Sequence, residues 1–125
     1  MEGCVLKVVY ISGPIRATTR GGRLANIGIA MGAASLLQRM GLAVICVHPL
    51  AIADAEEDCP NWLEGDMELV RRADAIFMLA GWEGSEGCRA ELAVAYECGN
   101  QKFFEEAGGY ERIKEWMASD STNLA

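Results

Sequence analysis

The chain is poor in metal-binding and disulfide-forming patterns. It has one histidine, His48, and none of its five cysteines (Cys4, Cys46, Cys59, Cys88, Cys98) stands at CxxC spacing from another. With no HxxxH pair either, a zinc site is not expected. An odd number of scattered cysteines, several inside apolar runs, reads as buried free thiols in a reducing compartment. No apolar run is long enough to cross a membrane, and the opening MEGCVLKVVY lacks the pattern of a signal peptide, so the expected location is the cytoplasm. Positive charge is also scarce: 11 Lys and Arg stand against 18 Asp and Glu, a net charge of −7. That argues against DNA or RNA polymers as partners. A small anionic substrate stays open, because a pocket can concentrate positive charge that the average hides.

What is present is a globular composition. With 125 residues, 51% of them hydrophobic, the chain is expected to fold as a single domain over residues 1–125. Residues 5–12 form a β-branched apolar run closed by Gly13 and Pro14, which predicts a buried strand. A polar loop over 16–22 is predicted to lead into a helix from about 23 to 40, ended by Gly41. A second strand is predicted over 42–47, an acidic loop around 53–58, a helix over 61–72 and a third strand over 75–80. After a loop at 81–84, Ser85 is placed to cap a helix reaching Cys98 and closed by Gly99. A weak fourth strand at 101–104 and a helix over 110–117 complete the pattern. Strands alternating with helices, apolar on both faces, predict an α/β three-layer domain: a parallel sheet of four to five strands in flavodoxin-like, Rossmann-like topology. Ligands of such folds sit beyond the carboxyl ends of the strands, where strand order reverses.

Two carboxylates fall where a core is expected. Turning the 61–72 segment at about 100° per residue places Trp62, Leu63, Met67, Leu69 and Val70 on one arc, with Asp66 in its middle. On the 85–98 segment, Glu86, Arg89 and Glu97 form a solvent stripe, while Glu91 lies among Val94, Ala95 and Cys98. Burying an unpaired carboxylate costs several kcal/mol or shifts its pKa. One such residue is as readily explained by an arginine partner or a capped turn. Two near the expected crevice favour acid, base or nucleophile roles.

The rim around them carries further polar groups. Gly13 suits close approach of a ligand, Arg16 can grip a phosphate or carboxylate as a fork, and Ser85 with Gly87 offers a hydroxyl and helix-start amides to an anion. Trp82 can stack on a nucleobase or pack on a neighbouring helix. Asn26 can reach a ligand or tie down a loop. Arg20 and Arg23, beside a glycine pair, can form a lid or a solvated face. Asp74 is expected to cap the joint before the third strand, and His48 to be structural. The cysteines are expected to be small core residues, with Cys88 one turn from Glu91.

Three blocks together resemble the nucleoside 2-deoxyribosyltransferase superfamily, including the 2′-deoxynucleoside 5′-phosphate N-hydrolases: residues 10–16 (YISGPIR), 65–74 (GDMELVRRAD) and 85–91 (SEGCRAE). The resemblance covers roughly residues 5–100. It implies that Glu91 attacks the anomeric carbon, Tyr10 orients that carboxylate, and Asp66 acts near the leaving base or the sugar. It further implies substrate contacts along Ser12, Gly13, Pro14, Ile15 and Arg16, and at Ser85 and Gly87. Arg16 and Ser85 match the hydrolases that act on 5′-monophosphates, whereas Pro14 stands where those enzymes have serine. The chemistry requires no metal or organic cofactor. By family precedent, and because the last strand is weak, a homodimer or higher homo-oligomer is expected.

The expected function is hydrolysis of a (deoxy)nucleoside 5′-monophosphate to free base and sugar phosphate. Two alternatives stand beside it: a deoxyribosyltransferase acting on free nucleosides, and a non-catalytic module that binds or senses a nucleotide-derived ligand.

Overall fold

The computed structural model describes residues 5–53 and 62–122. Four strands, β1 (Val8–Ser12), β2 (Ala43–Ile45), β3 (Ala75–Met78) and β4 (Gln101–Phe104), form a sheet in the order β2-β1-β3-β4. Every pairing is parallel, with Tyr10 beside Ile45 and Ile76, Ser12 beside Met78, and Met78 beside Phe104. The connections run through α1 (Arg20–Arg39), the single turn α2 (Leu50–Ala53), α3 (Trp62–Arg72) and α4 (Glu86–Cys98), and α5 (Gly109–Thr122) follows β4. The chain leaves β1 for β2 on one side and returns to β3 on the other. The order therefore reverses at the carboxyl ends of β1 and β3, where a ligand crevice belongs.

The period-two alternation of strand side chains divides the core into two layers. Val9, Ile11, Phe77 and Phe103 pack with Ala30, Ala33 and Leu37 of α1 and Ile113 of α5. Tyr10, Ile76 and Met78 face the other way, against Val70 of α3 and Cys88, Leu92 and Ala95 of α4. Aromatic contacts tighten the first layer, Phe77 lying 4.7 Å from Tyr110 and Phe103 5.5 Å from Trp116 between ring centroids.

Local chemistry sets the element ends. Thr19 Oγ1 accepts from the Gly22 amide at 3.0 Å, so α1 starts three residues before its predicted beginning and takes in Gly21 and Gly22. Ser85 Oγ accepts from the Cys88 amide at 3.2 Å, and Gly99 closes α4 in the left-handed region at φ 74°. The Asp74 carboxylate accepts from the Val8 amide at 2.7 Å, tying the entry of β3 to that of β1. Buried Asn100 donates from Nδ2 to the carbonyls of Val70 and Ala73 at 2.8 and 3.0 Å, which stitches the end of α3 to the start of β4.

Several expectations shift. β1 begins at Val8, and β2 and β3 are shorter than predicted. The weak fourth strand forms as an edge, and α5 extends to Thr122. The described sheet has four strands, within the expected four to five. Arg20 and Arg23 belong to α1, so a lid at these arginines gives way to a capped helix. Cys88 is buried as expected, but Cys98 is exposed at the last turn of α4. Cys4, Cys59 and the acidic segment at 54–58 lie outside the described residues. No described helix is long and apolar enough to cross a membrane.

Candidate active site

The second layer of the core contains the polar cluster. Tyr10 and Ser12 are two apart on β1 and share a face; both are fully buried. Glu91, on the inward stripe of α4, is 7% exposed and receives both hydroxyls: Tyr10 Oη donates to Oε2 and Ser12 Oγ to Oε1, each at 2.6 Å. These short bonds to a carboxylate replace the water it loses on burial. Burial still dominates. It raises the Glu91 pKa from 4.5 to about 7, the two hydroxyls pull it down, and the charge of Asp66 adds to the rise. Burial likewise pushes the Tyr10 phenol well above its ordinary value, with Glu91 adding to the effect, so Tyr10 remains a donor.

Asp66 stands on the inward arc of α3, half-buried rather than enclosed. Burial raises its pKa from 3.8 to about 6, opposed by a hydrogen bond from the Trp62 side chain one turn earlier. The rest of the polar face of α3 is solvated as expected, with Glu68 bonded to Arg71 and Arg72 at 3.3 and 2.9 Å.

Both carboxylates line a cavity of about 780 Å³ at the carboxyl ends of the strands, within the size range of small-molecule sites. Its floor is Tyr10, Cys88 and Glu91; one wall is Gly13, Pro14, Ile15 and Arg16 of the loop after β1. Opposite lie Gly84, Ser85, Glu86 and Gly87 at the start of α4. Trp62, Leu63 and Asp66 of α3 close a third side, with Val47, His48 and Ala51 after β2. Arg23 also borders the cavity, and its Nη2 donates to the Ala51 carbonyl at 2.8 Å, so it joins α1 to α2.

The structure thus brings Glu91, Asp66 and Tyr10 together with Gly13, Pro14, Ile15, Arg16, Ser85 and Gly87 around one space. Two expected ligand contacts stand elsewhere. Ser12 lies beneath Glu91 rather than on the cavity wall, because its place two residues after Tyr10 turns it into the same layer. Trp82 is absent from the cavity lining and packs on Phe104, 5.7 Å between centroids, as a loop tryptophan covering the sheet edge. Gly13 lines the cavity and is also closely packed: a Cβ there would lie 2.6 Å from Leu79 Cδ1 and 3.1 Å from Leu79 Cβ, where β1 and β3 end side by side. His48, structural by its sequence context, is buried on the cavity margin, and Trp62 joins the lining although the sequence marks it only as part of an apolar arc. Their signals are present but weak: a polar residue ending a strand that points to the crevice, and an aromatic one turn before a misplaced carboxylate.

Residues 7–104 match the family described as a domain of unknown function (DUF4406). The match takes in every described strand and both carboxylates, and the chain belongs to this family. Among solved structures it resembles a 2-desoxiribosyltransferase from Leishmania mexicana, with 18% sequence identity and a TM-score of 0.56 over 78% of this chain and 63% of that one. The chain therefore spans less than two thirds of the length of that protein, and at this identity the likeness establishes a shared α/β fold. No curated protein matches the sequence.

Proposed function

We propose that this protein cleaves the N-glycosidic bond of a (deoxy)nucleoside 5′-monophosphate through a covalent intermediate on Glu91. The single observation that carries the reading is Glu91 itself: a carboxylate 7% exposed, held by two hydroxyls at 2.6 Å, on the floor of a ligand-sized cavity. Two donors fix the carboxylate plane while the cavity gives access to it, which is what a nucleophile needs.

In the first step a Glu91 oxygen bonds to the anomeric carbon as the carbon–nitrogen bond breaks, and its electron pair leaves with the base. Asp66, on the neighbouring wall and with its pKa raised to about 6, supplies the proton that the leaving base nitrogen takes up. In the second step water attacks the anomeric carbon, the ester bond to Glu91 breaks, and the water proton returns through Asp66. Free base and sugar 5-phosphate result. Arg16 and the start of α4 at Ser85 and Gly87 hold the 5′-phosphate. Tyr10 and Ser12 stabilise the carboxylate as it leaves.

Transfer to a second base in place of water is the other reading, favoured by the likeness to a 2-desoxiribosyltransferase. Adding an acceptor base separates the two: a transferase yields a new nucleoside, and a hydrolase releases base at an unchanged rate. The test of the proposal is chromatography of monophosphates incubated with the native chain and with Glu91→Ala. Base release by the native chain alone supports it, and release by both removes Glu91 from the chemistry.

A further inference from the structure

The loop after β1 carries the cavity wall from Gly13 to Arg16, and its carbonyls are held by side chains from two other elements. His48 is 2% exposed, and its Nε2 lies 2.9 Å from the Gly13 carbonyl oxygen. A carbonyl can only accept, so Nε2 carries the hydrogen and Nδ1 is the acceptor of the neutral ring. Cys46 Sγ, 3.9 Å from Nδ1, is the thiol donor on that side. Burial lowers the His48 pKa, which keeps the ring in this neutral form. From α1, half-buried Asn26 donates through Nδ2 to the carbonyls of Ile15 and Arg16, each at 3.3 Å. Three carbonyls in four consecutive residues are therefore engaged from outside the loop. The peptide unit is planar and trans, so holding the Ile15 and Arg16 carbonyls turns the amides of Arg16 and Ala17 to the opposite side of the loop.

We infer that His48 and Asn26 are positioning residues that preset this loop for the phosphate end of the substrate. This inference rests on the nucleotide reading above. Neither residue needs to touch the ligand: each acts through the backbone that carries Arg16. A preset loop spares the ordering that a loose one would undergo on binding. Pro14 adds to this from within, since its ring fixes φ between the two anchored stretches.

Calorimetric titration tests it, with a deoxynucleoside 5′-monophosphate and the matching free nucleoside as probes. The chains compared are the native protein, Asn26→Ala, His48→Leu and His48→Gln, each first shown by melting to be folded. Asn26→Ala and His48→Leu are expected to weaken the monophosphate roughly tenfold and the nucleoside by less than about twofold. His48→Gln, whose amide can donate where Nε2 did, is expected to recover most of the monophosphate affinity. Unchanged monophosphate affinity in both Asn26→Ala and His48→Leu overturns the inference, and so does an equal loss for both probes. If the native chain binds no monophosphate in a panel of the common bases, the nucleotide reading fails and this inference fails with it. Binding by the native chain with indifferent variants removes this inference alone.

Discussion

Replacing Glu91 by glutamine is predicted to stabilise the protein at alkaline pH while removing its chemistry. The Glu91 pKa rises on folding from 4.5 to about 7, first because the group is buried. Its charged form is thus disfavoured in the folded state. The stability that goes with the neutral form is fully present below the unfolded value and is lost as pH rises through the folded one. At about 1.4 kcal/mol per pH unit, the span from 4.5 to about 7 corresponds to about 3 kcal/mol. The amide introduced by Glu91→Gln cannot ionise, and it can serve both hydroxyls, accepting from one and donating to the other. Below about pH 4.5 the native chain and Glu91→Gln should melt together; near pH 8.5 the variant should be more stable by about 3 kcal/mol. For a chain of this size that is a difference of about 10 °C in Tm. Titrating groups remote from Glu91 act alike in both chains and cancel in the comparison. Thermal melts of the two chains across this pH range measure it. A gap between the two Tm values that stays constant with pH would refute the reasoning, because Glu91 would then titrate alike folded and unfolded.

Further outcomes follow from the same geometry. With Glu91 ionising at about 7 and Asp66 at about 6, kcat/KM should fall on the acid side as Glu91 takes up a proton and on the alkaline side as Asp66 loses one. The two limbs belong to the coupled pair, and the form with Glu91 charged and Asp66 neutral is about a tenth of the singly protonated species. Asp66→Asn should abolish the alkaline limb and leave a single acid limb set by Glu91 alone, at higher pH than the native acid limb, read from the same rate profile. Tyr10→Phe removes one of the two donors to Glu91 and so raises the Glu91 pKa further; the alkaline limb should move to higher pH and kcat should fall by roughly ten- to a hundredfold. Arg16→Ala should weaken a monophosphate more than its free nucleoside in a binding titration; equal losses would remove the phosphate assignment. Asn100→Ala leaves the carbonyls of Val70 and Ala73 without their buried donor and should cost about 1–3 kcal/mol in denaturant unfolding.

The order of elements is readable in the sequence because strands that are apolar on both faces and helices with a stripe carry distinct periods. Element ends are less so. The glycine pair at 21–22 looks like loop until Thr19 supplies the cap that lets a helix begin before it. Glu91 and Asp66 stand out because a carboxylate on an apolar arc needs explaining, and both line the cavity. The pairing of Ser12 with Glu91 spans 79 residues, a distance that only strand register and helix placement close. Trp82 shows the converse: a tryptophan in a loop beside a crevice looks like a ligand platform until the position of Phe104 is known. His48 is inconspicuous for a related reason, since its partner is a backbone carbonyl of another loop, which leaves no side-chain pattern to read.

The central claim is that Glu91 is the nucleophile of a glycosidic cleavage. Base release from a panel of deoxynucleoside and ribonucleoside 5′-monophosphates, resolved by chromatography with Glu91→Ala as the control, tests it most directly. The account predicts release of one or a few bases by the native chain and none by the variant. Silence of the folded native chain across the panel, with free nucleosides and acceptor bases also supplied, would contradict it and leave a pocket that binds without cleaving.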